Sequence, residues 1–221
     1  MTTVAITVAQ IILGIMWPPP DFAPTSGSAT SILEMAQADP ILTFVKLDGL
    51  MIIDYLLLVV VFVSLAAALR NTNRSLVALG TTFALVASTL YFAVNPALTM
   101  FVLAGQYRAG ADDGIVQAAQ TVLANFQGTA FLVHYIVMGV AGMLVSAAML
   151  RGEVFSRTTG VAGLLQGSMM LIPVTFGTIG LIFAVGSLVP FMVWFVLISR
   201  QLWKMSAAGR RAMVASSDGA M

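Results

Sequence analysis

Long runs without a charge alternate with short charged clusters along this chain. Residues 158–199 and 75–107 hold no charged side chain, and His134 is the one titratable base within 114–150. Crossing about 30 Å of hydrocarbon takes roughly 20 apolar residues at 1.5 Å each. The runs therefore predict bilayer-spanning helices. One covers about 47–69, interrupted by Asp48 and Asp54, one covers 75–95 and ends at Asn95-Pro96, and one covers 129–150. The run 158–199 is long enough for two, 158–176 and 178–199, with the turn marked by Pro173, Gly177 and Gly180. Residues 3–17 form a sixth, short span stopped by Pro18-Pro19-Pro20. It lacks the basic flank of a secretory signal and reads as a retained helix.

The connections differ in kind. Ser31-Ile32-Leu33-Glu34 has the capping-box spacing and predicts a short helix to about Asp39. Asp112 and Asp113 open a second one, with Ile115, Ala119, Val122, Leu123 and Phe126 at helical spacing. The expected fold is all-α: a polytopic bundle of six transmembrane helices with short amphipathic outer helices. It forms a single membrane domain over 1–221, closed by a short basic tail at 200–221. Gly160, Gly163 and Gly167 share one helix face, as do Gly139, Gly142 and Ser146. Small residues of this kind let helix backbones approach closely in lipid. Val63 to Arg70 also resembles Val145 to Arg151 with one gap, a similarity that common residues at a cytoplasmic helix end explain.

Composition agrees with the pattern. The 221 residues are 59% hydrophobic and 9% charged, and the mean hydropathy is +0.98. Soluble domains run near about 45–50% apolar and about 25% charged. The net charge of +1 argues against nucleic acid as a partner. The distribution of charge says more than its sum. Arg70 and Arg74, then Arg151 and Arg157, then Arg200, Lys204, Arg210 and Arg211 fall on one side of a six-span path. The positive-inside rule makes that side cytoplasmic, with both termini inside. Asp21, Glu34, Asp39, Asp48, Asp54, Asp112 and Asp113 lie on the outer half, as do Lys46 and Arg108. Trp17 and Trp203 fall where interfacial aromatics are expected.

Little chemistry is on offer. There is no Cys and one His, which excludes a disulfide framework, thiol catalysis and metal sites built from several imidazoles. No phosphate loop and no hydrolase or zinc-protease motif occurs. We expect no catalytic residues, no cofactor and no metal. Ionisable groups inside a span are costly and mark candidate sites. Asp54 lies 16 residues before Arg70, His134 lies 17 before Arg151, and Tyr91 lies 17 after Arg74. All three sit roughly 24–26 Å from the basic row, in one outer-leaflet layer. An Asp54–His134 pair joined by the Tyr91 hydroxyl would suit a polar solute or a proton. The plainer reading is that Asp54 snorkels and His134 packs, and His134 lies about 110° around its helix from the small-residue face. Gln166 is the other strongly polar group deep in the last two spans, suited to an interhelical hydrogen bond.

The series Asn95-Pro96-Ala97-Leu98-Thr99-Met100, Gln106-Tyr107, Phe126-Gln127-Gly128-Thr129-Ala130-Phe131, Met149-Leu150-Arg151 and Phe155-Ser156-Arg157 resembles a bacterial six-span family known as a domain of unknown function. The resemblance covers about residues 45–203. It implies a six-helix protein of the bacterial inner membrane and brings no catalytic residues, and the chain departs from it at the shortened first span. The functional expectation is a non-enzymatic accessory or scaffold subunit of the cytoplasmic membrane. Its partners would be the lipid bilayer and other membrane proteins or further copies of itself. The alternative is a small-solute or proton-linked transporter or sensor using the Asp54–Tyr91–His134 layer.

Overall fold

The computed structural model describes residues 5–6, 8–9, 20–107, 113–172 and 177–218, with the backbone alone at 177, 181, 184 and 209–218. Most of the expected span 3–17, together with Trp17, Arg108, Asp112 and Pro173, lies outside the described residues. Helix is the regular structure throughout the rest.

Helix α1 (Ser26–Ala38) starts earlier than the capping-box spacing suggests. Thr25 is extended, and its hydroxyl accepts the Ser28 N–H at 3.2 Å, so the helix opens there and Ser31 falls inside it. Its end at Asp39 agrees with expectation. Asp39 also begins α2 (Pro40–Lys46), accepting the Leu42 N–H at 2.9 Å ahead of a proline that needs no such partner. Asp48 then turns the chain with a φ of 59°, a left-handed conformation that Asp tolerates better than most residues. Gly49 begins α3 (Gly49–Leu69) against the Phe44 ring, where any Cβ would collide.

Two asparagines open the next pair. The Asn73 side chain accepts the Leu76 N–H at the start of α4 (Arg74–Val94). The Asn95 side chain accepts the Ala97 N–H at the start of α5 (Pro96–Gln106). The charge-free run 75–107 thus breaks at Asn95-Pro96, as expected. Then follow α6 (Asp113–Phe126), α7 (Thr129–Arg151), α8 (Arg157–Met169) and α9 (Gly177–Asp218). The basic segment from Arg200 continues α9 instead of forming a separate tail.

Four stretches among the described residues are long and apolar enough to cross a membrane: Gly49–Leu69, Arg74–Gln106, Asp113–Arg151 and Thr178–Ala208. They support a membrane protein; the six-span count is not reached on this measure. The expected span 3–17 lies mostly outside the described residues, and the expected span 158–176 falls short at α8. Its 13 residues rise about 20 Å. The Met170 N–H closes it onto the Gln166 and Ser168 carbonyls, and Leu171 and Ile172 continue in tight turns.

Packing divides the chain into two compact units, Val63–Thr81 with Gly139–Met221 and Thr2–Phe62 with Thr82–Met138. In the second, α1, α2, α5 and α6 enclose a core of Ile32, Leu33, Leu47, Met100, Leu123 and their neighbours. The buried face of α6 carries Ala119, Leu123 and Phe126, as its spacing predicts. The Gln37 amide donates to the Ala104 and Tyr107 carbonyls at 2.8 and 2.7 Å, satisfying groups left over at the end of α5.

In the first unit the two small-residue faces meet each other. A Cβ on Gly167 would come within 2.6 Å of the Gly139 carbonyl oxygen, and one on Gly163 would strike Ser146 and Trp194. These faces are therefore occupied inside the chain and do not offer themselves to a partner. Gln166 lies against Gly142 and donates to the Met170 sulfur at 2.6 Å.

Candidate functional site

Asp54, Tyr91 and His134 are all buried, at 1%, 3% and 2% exposure. They sit on α3, α4 and α7, in the second unit. Tyr91 and His134 come together, with ring centroids 5.2 Å apart. The group joining them is Tyr55, which depth counting passed over. Its ring stacks on Tyr91 at 4.0 Å and 9°. Its hydroxyl lies 2.9 Å from His134 Nε2. Phe131 meets the His134 ring edge to face at 4.8 Å, and Phe92 meets Tyr55 at 6.4 Å.

The hydrogen-bond pattern assigns the imidazole tautomer. His134 Nδ1 lies 2.6 Å from the Phe131 carbonyl oxygen, which can only accept. Nδ1 therefore carries a proton, and in the neutral ring Nε2 accepts from the Tyr55 hydroxyl. Both ring nitrogens are engaged. The nitrogen that an Asp54–His134 pair would use is held by Tyr55.

A second chain of bonds runs beside the first. With its oxygen held by the Ala97 N–H, the Asn95 amide nitrogen donates to the Tyr91 hydroxyl at 2.9 Å and to the Asp48 carbonyl at 3.3 Å. One side chain thereby ties the turn before α3 to the turn before α5. Asn95 lies one helical turn from Tyr91, and Tyr55 follows Asp54 directly. The i, i+4 spacing and the adjacency were the available signals for the two missed residues.

The arrangement limits the chemistry. The Tyr55–His134 chain ends on the Phe131 carbonyl, and the Asn95 chain ends on backbone groups at a helix start. A carbonyl has no proton to hand on, so the bonds through His134 stop at Phe131 among the described contacts. Instead each buried polar atom in them gains a partner, removing the desolvation cost it would otherwise carry. Among the described residues no group of three or more His, Cys, Asp or Glu side chains is placed to hold a metal ion.

A family model described as "Domain of unknown function (DUF4386)" matches residues 1–208. No curated protein and no solved structure matches the chain.

Proposed function

The chain belongs to this family of unknown function, and from that premise we propose a six-span protein of the bacterial inner membrane that serves as a non-enzymatic accessory or scaffold subunit. Both termini lie in the cytoplasm in this reading. One observation carries it: the hydrogen-bond chains through Tyr55, His134, Tyr91 and Asn95 end on backbone groups, as in a clasp that fixes helices. Such a clasp suits a rigid part that other membrane proteins pack against. Exposed side chains provide the contact surface. Ile53, Leu56, Val60 and Val63 form a stripe at three- and four-residue spacing on α3, and Ile179, Ile182, Val185, Val189 and Val193 form another on α9. Most are β-branched, with few rotamers to lose on packing. Purification in mild detergent followed by mass spectrometry tests the proposal. A membrane protein partner or a second copy at fixed stoichiometry is expected. A monomer that carries a small molecule and no protein overturns it.

A second reading has one observation in its favour, the burial of the Asp54 carboxyl inside a span. Intramembrane acids mark proton or solute paths in many membrane proteins. Under that reading Asp54→Asn abolishes a proton-linked flux in reconstituted vesicles. Under the scaffold reading it changes stability and leaves vesicle pH traces untouched.

A further inference from the structure

An open cleft of about 470 Å³ lies along the turn between α3 and α4, lined by Ala66, Arg70, Asn71, Arg74, Val77 and Ala78. Its lining is of two kinds. Arg70, Asn71 and Arg74 supply guanidinium and amide groups, while Ala66, Val77 and Ala78 supply small apolar walls. The spacing explains the division. Ala66 precedes Arg70 by four residues, and Val77 and Ala78 follow Arg74 by three and four, so each arginine sits one helical turn from an apolar wall. Arg74 Nε donates to the Arg70 carbonyl at 3.3 Å, holding its guanidinium over the turn and leaving its terminal N–H groups available. Leu69 and Arg74 are the ends of two membrane-spanning stretches, so the cavity opens where hydrocarbon gives way to headgroups.

The surroundings add to its charge. Gly152 lies against Thr72, close enough that a Cβ there would come within 2.7 Å of that side chain. The Gln201 amide donates to the Val154 carbonyl at 2.7 Å. These contacts bring the turns 70–74 and 151–157 and the α9 segment 200–204 to one end of the first unit. Together the three carry Arg70, Arg74, Arg151, Arg157, Arg200 and Lys204, against Glu153 as the one acid.

We propose that this cavity binds the phosphate of an anionic phospholipid, with the headgroup between Arg70 and Arg74 and the first acyl carbons along Ala66, Val77 and Ala78. Forked guanidinium donors match phosphate oxygens, and basic pockets at the ends of spans suit anionic headgroups. A free phosphate would use the arginines and leave the apolar wall unused, so the lipid accounts for more of the cavity. The proposal is independent of the scaffold reading and of which side faces the cytoplasm.

Native mass spectrometry of the full chain, offered phosphatidylglycerol or phosphatidylcholine in detergent, tests it. The unaltered protein should retain phosphatidylglycerol with a preference of about tenfold or more. Arg70→Gln with Arg74→Gln should abolish most of that preference, and Arg74→Gln alone should reduce it. Arg200→Gln, nearby but outside the lining, should cost less of it than Arg74→Gln does. Arg70→Lys with Arg74→Lys retains the charge and should keep part of it, and thermal melting of each variant separates lost binding from lost fold. The proposal is overturned if the glutamine pair, still folded, prefers phosphatidylglycerol as strongly as the unaltered chain. It is overturned equally if inorganic phosphate displaces the lipid completely, which would make the site one for free phosphate.

Discussion

His134 Nε2 accepts a hydrogen bond from the Tyr55 hydroxyl at 2.9 Å in a buried setting, so Tyr55→Phe leaves an imidazole nitrogen without a donor. The expected loss is about 1–3 kcal/mol, read as a lowered unfolding midpoint in detergent. Replacing both partners removes the orphaned group, so Tyr55→Phe combined with His134→Phe should cost less than the sum of the two. Strict additivity would show that the pair is not coupled. Asp21, outside the spans, makes a different case. Its carboxylate accepts the Ala23 N–H at 2.9 Å and the Ser28 hydroxyl at 2.7 Å, and these bonds hold its pKa below the ordinary 3.8. Its hold on the start of α1 is therefore complete above pH 3.8 and is lost as the pH falls through the lower folded value. An NMR titration of Asp21 checks this, and a midpoint at or above 3.8 would sink it.

At the scale of elements, α7 and α8 meet backbone to backbone, and the glycines there cannot take a side chain without moving a helix. Gly167→Val should cost about 1–3 kcal/mol or more through overpacking. Gly105→Ala on α5 is the contrast, because nothing lies within 4 Å of its Cβ position. It should stabilise by about 0.4–1 kcal/mol through a less flexible unfolded chain and better helix propensity. Thermal melting of the two variants side by side reads the difference. Asn95→Ala acts at a junction: it removes the cap of α5 and the donor to Tyr91 together. A loss of about 0.5–2 kcal/mol is expected from the cap alone.

For the whole molecule, the proposed orientation predicts where reporters will sit. Fusions after Arg74, Arg157 and Lys204 should report cytoplasm, and a fusion at Asp39 should report the outside. A cytoplasmic signal at Asp39 would overturn the topology. The contacts of Thr72 with Gly152 and of Gln201 with Val154 already set these three basic segments at one end of a single unit. That arrangement fits one membrane face and gives the reporter experiment a structural rationale.

Charge-free runs were enough to identify four long apolar stretches, the break at Asn95-Pro96 and the buried face of α6, because each depends on local composition and period. Depth was legible for one pair: rise per residue is constant, so counting from Arg74 and Arg151 put Tyr91 and His134 at one level, and their rings meet at 5.2 Å. Azimuth was not. Asp54 and Tyr55 differ by about 100° around α3, and only the packed rotation of that helix decides which one reaches His134. The glycine faces show the same limit. Sequence announces that some backbone will come close, but not whether it belongs to this chain or another; the fold set Gly139 against Gly167. Turns that pair distant segments, such as 70–74 with 151–157, leave no local periodic trace, because the contact between them exists only once the helices are packed.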